Sequence, residues 1–456
     1  MNHYLWGALL ALLGAAACGK SLPATGETPG VGDTPTVSNS EGDLAGPARP
    51  ARAARMDGAA TSSAEGPNDG PANMDASAAD GPPDMADEPT APLSEMGEDP
   101  PESGTAADAA AREAGAMAKS PPTHYVYVGT GDWGAEAGRI AVYRLEQDGG
   151  LSFIQRVEAG GIAAFMAVDV SRGRLYVADE GSALLRRFLV DVTTGRLTAA
   201  GQVPVPGGPV YAALDAQANT LLTAYYSEGL VRTFPLDDSG IAATPSDTEM
   251  TGDRTHSIIV SGDNAHAYVC SVGAEKISQF TFDAAAHMLA PLSVASVSHP
   301  GGPRHLALSE DERFLYAVAE TGDNVIAYTR SERGALQPLQ TIARLPVGAS
   351  GTGADIQLGP NGHLYVSNRA PSNTVAVFAV DASEGYLSLI EHEATGGEDP
   401  RNLAIDSEGR FLLVANRSSQ TVAVFSTSTS TGELTRERVV PVEGNPFFVG
   451  VFAFEK

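Results

Sequence analysis

Arg304 opens and Glu320 closes one hairpin-like stretch, GGPRHLALSEDERFLYAVAE (301–320). Further charged or imidazole side chains stand in similar settings: His256 in RTHSIIV, Arg401 in DPRNLAI, and Arg369 and Arg417 at the ends of HLYVSNR and FLLVANR. These residue types suit one kind of task. Guanidinium forks hold carboxylates or phosphates and stabilise negative charge where it develops. A carboxylate beside an arginine stays ionised and can orient or deprotonate water. No G-x-S-x-G elbow is present, and Cys270 lies inside the strand-like run AYVCSV, so no covalent acyl-enzyme is expected. His124, His266, His287, His299, His363 and His392 are scattered without ligand spacing, and neither a metal nor a cofactor is expected.

What must position these residues is a repeat. RLYVADE (174–180), TLLTAYY (220–226), HAYVCSV (266–272), FLYAVAE (314–320), HLYVSNR (363–369) and FLLVANR (411–417) recur every 46 to 49 residues, with YVYVGT (125–130) as an earlier copy. An apolar run and a polar turn precede most copies, and an alternating run such as NVIAYTR or TVAVFAV follows. A fourth run follows a turn with Gly and Leu, as in GGLSFIQRV, GALQPLQTIA and GYLSLIEHE. Four strands in each of seven units predict an all-β fold, a seven-bladed β-propeller with four-stranded blades. The first unit begins at its second strand, and FFVGVFAF (447–454) is left over at the C-terminal end. That strand is expected to complete the first blade and hide its open edge.

The repeat is its own control. In register, the place of Arg304 is held by Ala164, Val210, His256 and Arg401, with Ala354–Asp355 nearby in the shorter sixth unit. The place of Glu320 is held by Glu180, Tyr226, Val272, Arg369 and Arg417. A blade therefore folds without Arg or Glu there, and the charged set of units four to seven should converge at one mouth of the central channel. Plainer readings stand beside this. Arg304 and Glu320 could pair with each other, His256 could be a hydrogen-bonded core histidine, and Arg401 and Arg417 could only stiffen the wall. His305, one residue along the strand from Arg304, should face the opposite way and pack.

The rest of the chain reads as address and tether. MNHYLWGALLALLGAAACGKS has a short apolar run ending in small residues, which is signal-peptide length and too short to span a bilayer. Its GAAACG resembles a bacterial lipobox, which implies cleavage before Cys18 and lipidation of its sulfur, although the preceding region holds His3 and no Lys or Arg. Cys270 would then have no disulfide partner and reads as a small buried apolar residue. Residues 21–122 lack aromatic residues, Ile and Cys, and residues 20–122 carry 18 acidic against six basic side chains. Such a segment cannot bury enough apolar surface to offset chain entropy. The expected layout is a signal peptide with its lipobox cysteine (1–18), a disordered acidic Pro/Ala/Gly-rich linker (19–122) and the propeller (123–456). A flexible linker of this length has a root-mean-square span of roughly 50–60 Å. A net charge of −27 argues against a nucleic-acid partner, and a closed ring leaves no obligatory edge, so a monomer anchored to a membrane is expected.

With THSIIVSGDN (255–264), ADIQLGPNGHLYVSNR (354–369) and DPRNLAIDSEGRFLLVAN (399–416), the 301–320 stretch resembles the seven-bladed lactonase family. That family contains the bacterial propeller-type 6-phosphogluconolactonase and the fungal carboxy-cis,cis-muconate cyclase. The similarity covers about residues 123–456 and none of the tail. It implies that His256, Arg304, Glu320 and Arg369 form the catalytic set; the register comparison adds Arg401, Arg417 and Asp355 as residues available to the substrate. The implied reaction is water attack on a lactone carbonyl, with an arginine stabilising the oxyanion, Glu320 activating the water, and His256 sharing that task or protonating the leaving alkoxide. An export signal fits a sugar lactone or carboxylated lactone outside the inner membrane better than a cytosolic phosphorylated one. Two other readings remain at this stage: a muconate-type cyclase, and a non-catalytic tethered propeller that binds a carbohydrate or a protein.

Overall fold

The computed structural model describes residues 122–133 and 138–455. The expected signal peptide, Cys18 and the expected linker, except Pro122, lie outside the described residues. Alternating Val, Leu, Ile, Tyr and Phe runs put one side chain in two on each face of a strand, and Gly-containing turns reverse the chain between them. The result is 28 strands in seven four-stranded sheets, every neighbouring pair antiparallel. Blades 2 to 7 each run in sequence order from an inner strand to an outer one. In blade 5 these are Pro303–Leu308, Phe314–Ala319, Asn324–Arg330 and Leu336–Ala343. Blade 1 differs as expected: its inner strand is Asn445–Phe454, paired along the whole of Thr123–Gly131. Each inner strand packs on the inner strand of the next blade, and that of blade 7 packs on that of blade 1, closing the ring.

The core lies between blades rather than within them. Phe314, Tyr316 and Val318 of blade 5 pack against Ile356, Leu364, Val366 and Phe378 of blade 6. Second strands are buried on both faces, which explains their near-continuous apolar runs, whereas outer strands alternate with solvent. Repeated hydrogen bonds tie one blade to the next. Tyr127, Tyr268 and Tyr316 each donate from the phenol to the carbonyl of the turn glycine in the following blade, Gly195, Gly334 and Gly385, at 3.1, 2.7 and 3.2 Å. The Leu two residues beyond that glycine is held as well. Gln155, Gln279 and Gln340 accept from the backbone N–H of Leu197, Leu336 and Leu387. The Gly-x-Leu turns noted in the sequence are therefore blade-to-blade latches.

Candidate active site

Every inner strand carries the same irregularity. Pairing with the second strand skips one residue near its start: Ala164, Val210, His256, Arg304 and Arg401 in blades 2, 3, 4, 5 and 7. Blade 6 skips Ala354 and Asp355, and blade 1 skips Phe447. A bulge re-aims the extra residue away from the ladder. Six of these side chains line one cavity at the channel: Ala164, Val210, His256, Arg304, Arg401 and Phe447, together with Phe165, His305 and Asn402. The places aligned from the sequence are thus a physical ring of bulges.

A second set comes from the ends of the second strands. Glu320 and Arg369 meet there, with Arg369 Nη2 donating to Glu320 Oε1 at 2.7 Å and to the Gly353 carbonyl at 2.9 Å. Arg304 is not the partner of Glu320; it is 2 % exposed, and its Nη1 donates to the carbonyl of Ala354. Arg417 Nε pairs with Asp399 Oδ2 at 2.5 Å. Arg401 makes no ion pair among the described residues, and its guanidinium lies over Phe447 and Trp133 at 4.9 and 5.7 Å.

His305 overturns the packing expectation. Because Arg304 is the bulged residue, strict alternation fails at this point, and both side chains reach the channel. The His305 ring lies 5.1 Å from that of His256, and its Nε2 is 3.4 Å from Arg304 Nη1. Its Nδ1 stands 2.6 Å from Asp355 Oδ1. Asp355 also accepts from the Ile356 N–H, from Gln357 Nε2, from Asn402 Nδ2 and from the Leu403 N–H. Both its oxygens are engaged, so it positions His305 instead of reaching toward a ligand as expected. Phe165 stacks on Tyr211 at 3.9 Å, and both rings stand T-shaped to His305. Asn402, Phe447 and these two rings were missed in the sequence. Extending the register comparison to FFVGVFAF would have found Phe447.

The electrostatics follow from burial and from this crowding of cations. Burial, then Arg304, hold the His256 imidazole well below its ordinary 6.5, so it is neutral at physiological pH. Burial and Arg304 also lower His305, again leaving a neutral ring. Burial alone would raise Glu320, but Arg304 and Arg369 outweigh it and keep the carboxyl below 4.5. Burial, with Arg401 and Arg369 nearby, pushes Arg304 down to about 9, still cationic near neutrality. Burial raises Cys270 to about 12, which keeps it an inert thiol. Each of the four residues singled out in the sequence holds a buried polar atom without a hydrogen-bond partner: His256 Nδ1, Arg304 Nε, Glu320 Oε2 and Arg369 Nε. Eight other buried polar atoms among the described residues also lack a partner; what distinguishes these four is that they fall in one site, where a polar ligand or water would satisfy them.

Two other features do not belong to this site. His124, Asp406 and Glu408 bring metal-type donors together at a hairpin turn of blade 7, but Arg410 pairs with both carboxylates. A groove of about 870 Å³ lined by Leu308, Phe314, Leu358, Val380 and Ile405 sits at the opposite end of the strands and contains none of the site residues.

Comparison with known proteins supplies the remaining findings. The family described as "Lactonase, 7-bladed beta-propeller" matches residues 122–451. The chain is 32 % identical over 324 residues to a 6-phosphogluconolactonase of Sodalis glossinidius, covering 70 % of this chain and 97 % of that protein. It is 30 % identical over 333 residues to one of Yersinia enterocolitica, covering 72 % and 98 %. Among solved structures, a periplasmic gluconolactonase of Pseudomonas aeruginosa superposes with a TM-score of 0.67 at 27 % identity, covering 73 % of this chain and 99 % of that one.

Proposed function

Because the chain belongs to the seven-bladed β-propeller lactonase family, we propose that its channel site hydrolyses a sugar lactone by water attack under arginine control. The observation that carries this reading is the set of four unpartnered polar atoms on His256, Arg304, Glu320 and Arg369. Water adds to the lactone carbonyl carbon, the ring C–O bond breaks, and the ring oxygen leaves with a proton. Glu320 is ionised, with one oxygen held by Arg369 and the other free, so it takes the proton from the attacking water. Arg304 faces the cavity and stabilises the oxyanion, where a dry setting makes its charge most effective. Neutral His256 relays the proton that Glu320 removed from the water, accepting at one ring nitrogen as the other gives its proton to the leaving oxygen. His305, braced by Asp355, holds the Arg304 fork in place. Arg401, without a carboxylate of its own, is available to the polar periphery of the substrate.

The substrate class we propose is an aldonolactone met outside the cytoplasm, with Cys18 as the lipid anchor and residues 19–122 as the spacer. The GAAACG stretch supports this address, as does the relative described as a periplasmic gluconolactonase. Titrating the acid released from D-glucono-δ-lactone and from its 6-phosphate, against spontaneous ring opening, tests the reading. Wild type should accelerate at least one of them, and Arg304→Ala should lose about 100-fold or more of that excess. No acceleration of either lactone overturns it.

A further inference from the structure

Trp133 stands two residues beyond the end of its second strand. The same place in the other blades holds Ser182, Glu228, Ala274, Gly322, Pro371 and Ser419. The turn therefore has no need of an indole. Nor is this indole packing material: it is 54 % exposed at the channel mouth, whereas Phe153, another exposed aromatic, lies on an outer strand. Its contacts are specific. The ring meets Phe447 edge-on at 4.9 Å, and Arg417 and Arg401 lie over it at 5.0 and 5.7 Å. Both guanidinium groups also lie over Phe447, at 5.6 and 4.9 Å. The Glu180 carboxylate of blade 2 lies near the indole. Two aromatic rings and two cations thus make a wall from the bulge ring of the channel up to its rim.

Such a wall has a defined chemistry. An exposed indole offers a π-face to the C–H groups on one side of a saturated sugar ring, and a guanidinium stacked on an aromatic keeps its N–H donors at its edge. We propose that the exposed indole of Trp133, backed by the buried Phe447 ring and flanked by Arg401 and Arg417, forms a ring-recognition subsite that binds the closed hexose ring of the substrate face-on. This rests on the lactonase reading for its choice of ligand, not for its geometry. It assigns the site a preference for the cyclic sugar lactone over the open-chain acid that hydrolysis releases, so the product is not retained.

The sequence makes the test direct. It holds two tryptophans, Trp6 and Trp133, so in the full chain carrying Trp6→Phe the indole emission comes from Trp133 alone. D-glucono-δ-lactam, a ring that does not hydrolyse, should shift or quench that emission in a saturable way, and open-chain gluconate at the same concentrations should not. Trp133→Ala should raise KM for D-glucono-δ-lactone about tenfold with kcat within about twofold of wild type, and Trp133→Phe should recover part of the loss. Lactam inhibition without any change in emission, or an unchanged KM in Trp133→Ala, overturns the subsite while leaving the hydrolase reading intact. A saturable emission change in a protein that hydrolyses no lactone upholds the subsite and removes the hydrolase.

Discussion

Arg304 is buried among charges of its own sign, with Arg401 and Arg369 close and Glu320 as counterweight. An interior with surplus cations and two neutral imidazoles should show itself in the pH profile. In the proposed mechanism Glu320 works as an anion, and its pKa is depressed below 4.5, so kcat/KM should hold as pH falls and then drop through a value beneath 4.5. His256 and His305 are already neutral, so no inflection should occur near 6.5; a step at that pH in a pH-stat series would remove the neutral-imidazole assignment. Asp355 gives a stability prediction. Its carboxylate is satisfied by five donors and 1 % exposed, and Asp355→Ala leaves those donors unpaired, which should cost about 3 kcal/mol in urea unfolding. At this scale the sequence was informative where repeats could be compared. Val210 and Ala164 in the place of Arg304 revealed that the fold does not demand an arginine there. His305 was illegible because side-chain alternation presumes an unbroken ladder, and one extra residue in a strand looks like any other residue until pairing is seen.

Blades are ordinary antiparallel sheets made specific by their joins. Tyr316 reaches from blade 5 to the Gly385 carbonyl of blade 6, both groups buried, so Tyr316→Phe should lose about 1 kcal/mol, read as a lower urea midpoint with unchanged slope. Gly385 itself has φ of 79°, and a Cβ there would stand 2.2 Å from the Phe314 ring. Gly385→Ala should therefore destabilise more than Tyr316→Phe, since both backbone and packing object. The strands and the Gly-x-Leu turns were legible from period and spacing. Their partners were not, because a phenol hydrogen bond to a turn some 70 residues away leaves no local trace. The outer strand of the third blade is short, spanning only Asp247–Met250.

Closure makes the disc one cooperative object. The leftover C-terminal run was readable as the missing strand because the first unit lacked one, and it pairs with Thr123–Gly131 over its whole length. Ending the chain at Gly444 should expose that strand's edge and strip Phe447, Phe448 and Phe454 from the core, leaving little soluble folded protein on size-exclusion chromatography. The proposed address is tested separately: Cys18→Ala should move the protein from the detergent phase to the aqueous phase on fractionation, with lactone hydrolysis unchanged. The position of that same N-terminal strand has a mechanical corollary. It lies between two neighbours, Asn445–Phe454 on one side and Gly138–Leu145 on the other. A load applied along the axis of this strand at Thr123 must shear both flanking ladders together. Shearing two ladders at once takes more force than peeling an edge strand away rung by rung.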